Sequence, residues 1–207
     1  MKKFLILIAL LMIPAVSSAE LYRQGPYFAG FVGVTVPEDA DASGAFHDRI
    51  QFDPGLNIGG AAGFDFGAAR LEGEISYKQG EVNTVTDKDT NTSYRGVDGS
   101  IDVTAFMMNI FVDLHGQMPI TPYFGGGVGL AAMHQSDTYD FNGGLLYAAD
   151  DAIAFAYQVG AGLEIPLNRQ LSLDLAYRYF ATSTASFIDD DVIFRSHNAT
   201  VGLRFKY

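Results

Sequence analysis

Alternating apolar and polar positions dominate the chain from residue 27 to its end. Strict alternation predicts a half-buried β-strand, because successive side chains of a strand point to opposite faces. The last segment is the clearest case, and its apolar side consists of Val201, Leu203, Phe205 and Tyr207. Its other side carries Gly202, Arg204 and Lys206. The chain therefore ends on a two-faced strand with an aromatic residue at the carboxyl terminus.

Seven earlier segments show the same split into an apolar and a polar side. They cover residues 27–36, 56–66, 69–80, 101–114, 122–133, 152–165 and 171–180. The register of the first segment stays open, because Phe28, Val32 and Val34 compete with Tyr27 and Phe31 for the apolar side. Eight amphipathic strands predict a closed antiparallel barrel, either soluble with its apolar face inward or membrane-spanning with that face outward.

The size of the residues on the second face favours the membrane barrel. That face is dominated by Gly, Ala, Ser and Asn, as in the row Gly125, Gly127 and Gly129. Small residues suit the crowded interior of a narrow barrel, whereas a water-exposed face would place no limit on side-chain length. Tyrosines at the segment ends are placed for interfacial girdles: Tyr77, Tyr177, Tyr179 and Tyr207. The sequence predicts an all-β, eight-stranded antiparallel up-and-down transmembrane β-barrel.

The connections between the segments alternate between short and long. Residues 67–68, 115–121 and 166–170 are short, whereas 37–53, 81–100, 134–151 and 181–195 are long and polar. Short periplasmic turns and long extracellular loops are typical of bacterial outer-membrane barrels. Most of the formal net charge of -11 falls in the long connections. An acidic surface of this kind argues against nucleic acid as a partner.

The amino terminus has the features of a secretory signal peptide. A basic start at Lys2 and Lys3 is followed by an apolar stretch from Phe4 to Val16 and by small residues up to Ala19. The sequence predicts cleavage between Ala19 and Glu20, which divides the chain into a signal peptide, 1–19, and a barrel domain, 20–207. The chain has no cysteine, so an exported domain of this size has to be stable without disulfides.

Charged residues recur on the face that would line the interior of the barrel. We expect these residues to form a lumen charge network: Arg70, Glu72, Glu74, Lys78, Glu164, Asp174, Arg178, Arg204 and Lys206. Buried charges are tolerated when they are paired. The last two strands are neighbours, which predicts Asp174 and Arg178 near Arg204 or Lys206, in a lumen that is acidic overall. The expected result is a salt-bridged plug instead of a water-filled pore.

Motifs that carry catalysis or metal binding are weak in this chain. Residues 87–98 imitate the acidic spacing of a calcium loop, but glycine is missing at the sixth position and glutamate at the twelfth. Ser196 and His197 are adjacent, and neighbours in a strand face opposite ways; a pairing of His197 with Ser172 or Ser186 stays open. The sequence predicts no enzyme activity, no metal site and no cofactor.

Four stretches resemble the bacterial surface-antigen and outer-membrane-protein β-barrel family, which is related in architecture to the outer-membrane protein A barrel. They are Thr121–Gly129, Tyr157–Gly162, Leu173–Tyr179 and His197–Tyr207. The resemblance covers nearly all of the mature chain and implies an outer-membrane location, often with surface antigenicity or adhesion. Members usually end in phenylalanine, whereas this chain ends in Tyr207. The resemblance implies no single biochemical activity.

From these features we expect an integral outer-membrane protein with a structural or surface-interaction role, carried by acidic loops. The alternatives are a narrow channel for small solutes and, third, a lipid-modifying enzyme. The expected partners are outer-membrane lipid and lipopolysaccharide, the barrel-assembly machinery with periplasmic chaperones, and a host or surface ligand at the loops. The barrel is expected to be a monomer. The last strand's apolar row, which ends at Tyr207, is expected to act as an assembly signal.

Overall fold

The structure, a computed structural model, describes residues 24–44, 47–87, 92–95, 100–116, 119–136, 138–139, 145–147, 150–186 and 190–207. These residues form β1 (Gly25–Pro37), β2 (Ala40–Gly44), β3 (His47–Asp53), β4 (Gly55–Asp65), β5 (Ala69–Asp87), β6 (Thr92–Arg95), β7 (Ser100–Asp113), β8 (Thr121–Gln135), β9 (Thr138–Tyr139), β10 (Leu145–Tyr147), β11 (Asp150–Pro166), β12 (Leu171–Thr182), β13 (Ala185–Ser186), β14 (Asp190–Val192) and β15 (Arg195–Lys206). No helix among them is long and apolar enough to cross a membrane.

Eight of the described strands close into an antiparallel barrel. Neighbours pair in the order β1, β4, β5, β7, β8, β11, β12 and β15, and β15 returns to pair with β1. At this closing seam Tyr27 lies opposite Lys206, and Pro37 lies opposite Ser196. Closure leaves the barrel without an unpaired edge, as a membrane-spanning sheet requires. The predicted eight-stranded up-and-down barrel is confirmed.

The barrel has two unlike ends. At the turn end, residues 66–68 and 167–170 connect adjacent strands, and Tyr207 lies there as well. Gly67 has a φ of 104°, a conformation that favours glycine, and its amide donates to a carboxylate oxygen of Asp65. In the other turn, Asn168 accepts hydrogen bonds from two successive backbone amides. The opposite end, where the long connections leave the strands, is called the loop end below.

The sheet continues beyond the barrel at the loop end. The first long connection contains β2 and β3, and β3 pairs with the outer part of β5 up to Asp87. Further pairings join β14 to β2 and β6 to β5. The predicted end of the third strand at residue 80 was wrong, because β5 continues to Asp87. Residues 82–86 of β5 are rich in Val and Thr, whose β-branched side chains favour an extended backbone.

The apolar side of each strand faces outward. In β1 the open register is resolved: Phe28, Val32 and Val34 are exposed, while Tyr27 is buried inside. The same outward row continues around the barrel with large side chains such as Phe106, Leu130, Val159, Tyr177 and Leu203. One predicted member differs, because Ile165 is only 5% exposed near the turn end. The outward belt of large apolar side chains matches a lipid-facing surface.

Candidate functional site

All nine residues of the expected charge network lie inside the barrel. Arg70, Glu72, Glu74, Lys78, Glu164, Asp174, Arg178, Arg204 and Lys206 are each buried, with at most 9% of their surface exposed. They occupy inward positions on β5, β11, β12 and β15. Alternation along each strand places them there, because the outward positions between them carry apolar residues. The lumen is therefore where the described structure gathers its buried charged side chains.

Next to the turn end, two cations are held by three carboxylates. Arg204 donates to Glu164 and, at 2.6 Å, to Asp174. Lys206 lies 2.8 Å from Glu164 and 3.1 Å from Asp65. Charge-assisted hydrogen bonds of this kind are stronger than neutral ones and compensate for the loss of water around each ion. This group joins β4, β11, β12 and β15 across the lumen.

A second pair near the same end involves Arg70. Its Nε lies 2.9 Å from Asp113, and its guanidinium lies 4.4 Å from the ring centre of Tyr123. Tyr123 in turn donates its hydroxyl to Asp174 at 2.7 Å. A guanidinium over an aromatic face gains favourable electrostatic energy where water is excluded. Arg70 therefore fills the space between the ion pairs with its planar head group.

Glu74 is the centre of the next layer toward the loop end. One of its oxygens accepts from Arg178 at 2.7 Å, from Asn109 at 3.0 Å and from Gln158 at 3.2 Å. Gln158 also donates to Asn109 at 2.8 Å. Arg178 therefore reaches across the lumen to β5, and its ion-pair partner is Glu74 and not a residue of the neighbouring last strand. The planar guanidinium suits this contact, because its fork of N–H donors matches the geometry of a carboxylate.

The two layers are joined into one network. Tyr27 donates to Glu72 at 2.9 Å, and the guanidinium of Arg204 lies 5.1 Å from the Tyr27 ring centre. Among the described residues the lumen holds six buried carboxylates and five buried cations. The lumen was expected to be acidic overall. These groups instead nearly balance one another and leave a formal charge of one negative unit. Near balance is what a desolvated interior requires, since an unpaired ion there costs several kcal/mol.

Toward the loop end the lumen becomes apolar. This apolar layer consists of Ile101, Val103, Ala105, Met107, Ala131, Met133, Ala152, Ala154, Ala156, Phe180 and Phe194, with Phe52 packed against it. Lys78 lies at the boundary, where its ammonium contacts the Phe180 ring at 4.4 Å and donates to Ser76. The charge network is therefore covered on its loop side mainly by apolar side chains, with the buried hydroxyls of Thr182 and Ser196 beside Phe194 and Phe180. A layer this apolar was not predicted.

Glycine makes room for the large side chains in the lumen. A β-carbon on Gly125 would meet Phe111, one on Gly127 would meet Asn109, and one on Gly129 would meet Met107. The backbone of β8 therefore approaches the side chains of β7 more closely than any other residue type permits. These glycines act as packing residues, as the sequence indicated.

Some lumen residues were left out of the expected network. Asp65 and Asp113 complete ion pairs with Lys206 and Arg70, and both could have been found because they occupy inward positions of their strands. Tyr27 and Tyr123 also hydrogen-bond to network carboxylates. For these two tyrosines the signal was ambiguous, since a tyrosine in a membrane barrel suits the interfacial girdle equally well.

The residues considered for catalysis do not come together. Ser196 is fully buried, whereas His197 faces outward, with Tyr177 at 2.6 Å and Glu38 at 3.1 Å. Ser172 lies near the turn end, where it donates to Glu164. The side chain of Ser186 and most of the calcium-like stretch 87–98 lie outside the described residues. Within the described part of the chain, no group of three or more metal-binding side chains is present.

The last strand places its apolar row on the outer surface. Val201, Leu203, Phe205 and Tyr207 are between 39% and 51% exposed, which is high for large apolar side chains. At the turn end, the ring of Tyr207 makes edge contacts with Phe28 and Phe205. The row is therefore accessible along its length.

Comparison with known proteins gives a consistent result. A family model described as outer membrane protein beta-barrel domain matches residues 5–205. Outer membrane protein PagN of Salmonella typhimurium is 24% identical over 226 aligned residues, covering 96% of this chain and 92% of PagN.

Two solved structures share the fold. OprG of Pseudomonas aeruginosa has a TM-score of 0.59 at 14% identity and covers 91% of this chain and 98% of its own. Neisserial surface protein A has a TM-score of 0.55 at 17% identity and covers 88% of this chain and 99% of its own.

Proposed function

The chain belongs to the outer membrane protein β-barrel family and lies in the outer membrane, and on that premise we propose that it is a plugged, non-conducting barrel with a structural or surface-interaction role. Its loop end carries that role. With short turns in the periplasm and long connections outside, the acidic segments face the surroundings of the cell. The signal peptide, residues 1–19, and recognition of the last strand by the assembly machinery are parts of the same proposal.

The observation that carries the proposal is the filled lumen. Glu74 and Arg178 meet at 2.7 Å across the interior, and further ion pairs lie below them toward the turn end. Above them lies the apolar layer, where Val103 and Ala131 are fully buried. An eight-stranded barrel has an interior just wide enough for side chains to fill it. A solute would have to displace both layers, which argues against the narrow channel.

A planar-bilayer recording tests the plug. We expect the purified, folded chain to give no stable conductance steps across a range of voltages. A matched variant, Phe180→Ala with Phe194→Ala, removes two rings of the apolar layer and serves to show that the assay detects a weakened plug. Large, stable steps from the unaltered chain would overturn the proposal in favour of a channel.

The surface role requires a separate test on cells. Cells that display the unaltered chain are compared with cells that display a variant in which Asp189, Asp190 and Asp191 are changed to Asn. Binding to host cells or matrix that depends on these charges supports an interaction role. The structural role is supported instead if cells with the unaltered chain and cells with the variant bind equally well, and if cells that lack the protein have a leaky envelope. If neither effect appears, both roles are wrong.

A further inference from the structure

Two of the rings that cover the lumen come from the long connections. Phe52 lies on β3, in the first long connection, and packs against the apolar layer. Phe194 lies between β14 and β15, in the fourth, and is 2% exposed, with its ring centre 6.2 Å from that of Phe180. Gly80 makes room at the mouth, because a β-carbon there would lie 2.9 Å from Pro37 and 3.7 Å from Phe52. The loop side of the plug is therefore built partly by segments outside the barrel wall.

A short strand pairing joins these two connections. β2 forms a hairpin with β3 and also pairs with β14, where Asp190 lies opposite Gly44 and Asp191 lies opposite Ser43. Barrel neighbours pair over much longer stretches, as β11 does with β8 along residues 150–164. Local opening requires the least free energy where few backbone hydrogen bonds have to break. The β2–β14 pairing therefore separates before the barrel does, and β2, β3 and β14 are called the lid below.

The polar side chains beneath the lid are incompletely hydrogen-bonded. Lys78 is 2% exposed, and its ammonium donates to Ser76 at 2.7 Å and lies over the Phe180 ring. In the described part of the chain, no carboxylate lies within 4.0 Å of this ammonium. Asn57, directly opposite Lys78 on β4, has a buried side-chain oxygen with no hydrogen-bond partner among the described residues, and so has Thr35 on β1. Water would recover the free energy that these unpaired groups cost.

We propose that the lid opens by separation of β2 from β14, which exposes the apolar layer and Lys78 to water while the barrel and its ion pairs stay intact. Two opposing effects hold the lid close to balance. Burial of Phe52 and Phe194 favours the closed form, whereas hydration of the three polar side chains beneath them favours the open form. An event that separates the two connections at the cell surface therefore reaches the lumen. The inference rests on the proposed plug, since the Glu74 layer keeps the barrel closed to ions when the lid is open.

Oxidation of buried methionine measures the opening. Met107 and Met133 belong to the apolar layer and are 2% and 1% exposed, so hydrogen peroxide reaches their sulfur atoms when the lid is open. The full, folded chain in lipid vesicles is treated with peroxide, and the sulfoxide at each position is quantified by peptide mass spectrometry. Heat-modifiable gel mobility confirms that each variant is folded.

Two variants with matched controls change the opening in a defined way. Ser43→Cys with Asp191→Cys places a disulfide across the β2–β14 pairing, because opposite Cα atoms of an antiparallel pair are close enough for one. The chain has no other cysteine, and the same variant, reduced and alkylated, is its control. Thr35→Val removes an unpaired hydroxyl at nearly constant shape. Thr104→Val makes the same change on the outward side of β7 and is the second control.

We expect the disulfide to slow sulfoxide formation at Met107 and Met133, and reduction with alkylation to restore it. Thr35→Val slows oxidation about fivefold, the factor that corresponds to about 1 kcal/mol, while Thr104→Val leaves it unchanged. Equal rates with and without the disulfide, or oxidation of the unaltered chain no faster than its global unfolding, would overturn the lid.

Planar-bilayer recordings of the same samples separate the lid from the plug. No conductance steps, together with oxidation that the disulfide slows, supports both. Steps that appear only when the disulfide is reduced would refute the plug and leave the lid in place. Oxidation that the disulfide does not change, without steps, would refute the lid alone.

Discussion

The pair of Glu74 and Arg178 offers a direct test of how the charged lumen stabilises the barrel. The perturbation is Arg178→Leu, which removes the guanidinium and keeps an apolar side chain in its place. Glu74 then loses its partner at 2.7 Å and keeps only the two amide donors, Asn109 and Gln158. Glu72, 3.9 Å from the same guanidinium, also loses a neighbouring cation. Two buried carboxylates thus lose a neighbouring cation, and of the described cations only Lys78 stays within electrostatic reach of Glu74.

The expected loss in the free energy of unfolding follows from the burial of both side chains. The side chains of Glu74 and Arg178 are 2% and 10% exposed, so water replaces little of what is lost. Removing one partner of a buried ion pair destabilises a protein by about 3–5 kcal/mol, whereas replacing both partners by apolar residues is often close to neutral. The double variant, Arg178→Leu with Glu74→Leu, should therefore recover more than half of the loss. Asn109 and Gln158 keep their mutual bond at 2.8 Å in that variant.

Reversible urea unfolding of the chain in lipid vesicles measures the four free energies of the double-mutant cycle. Arg195→Leu is the control for loss of an arginine, since Arg195 is exposed and its removal should change the free energy of unfolding by less than about 1 kcal/mol. The reasoning is refuted if Arg178→Leu costs no more than this control. It is also refuted if the two single losses simply add in the double variant, because the pair would then be uncoupled.

Three further predictions concern packing, assembly and processing. Gly127→Ala should destabilise the barrel by about 1–3 kcal/mol through overpacking, whereas Gly60→Ala, whose β-carbon has ordinary room on the outer surface, should be nearly neutral; urea unfolding compares them. Deletion of Tyr207 should lower the amount of barrel in the membrane more than it lowers the stability of the folded form, and unchanged surface levels would count against the assembly signal. Amino-terminal sequencing of the mature protein should begin at Glu20, and a start at Met1 would contradict the signal peptide.

Alternation alone was sufficient to predict the eight barrel strands. A membrane barrel imposes a strict two-residue period on every strand. The inward and outward positions of a segment such as 101–114 can therefore be assigned from its sequence. The first strand was ambiguous because inward Tyr27 and Phe31 are as apolar as outward Phe28 and Val32. The burial of Ile165 could not be predicted either. Alternation indicates on which face of the sheet a side chain lies, but not whether neighbouring residues near a turn cover it.

The cross-lumen partners could not be predicted from the sequence. Arg178 and Glu74 are 104 residues apart and lie on strands that are not neighbours, so their contact depends on the stagger of all eight strands. The ion pair of Arg204 with Asp174 was easier, because β12 and β15 are adjacent. The apolar layer was missed because inward Val103 and Met133 were treated as ordinary members of alternating segments, although no charged residue accompanies them on the inward side of their own strands toward the loop end.

The apolar layer on the loop side of the charge network affects how the ion pairs of the lumen respond to the salt concentration outside the cell. Dissolved salt weakens ion pairs only where its ions can approach, within a screening length of about 8 Å at physiological ionic strength. The side chains of Arg204 and Asp174 are 3% and 12% exposed, and hydrocarbon lies between them and the loop end. The internal pairs are therefore expected to keep their strength when the salt concentration outside the cell changes. Salt is expected to act on this barrel through its solvent-exposed charges and not through the lumen.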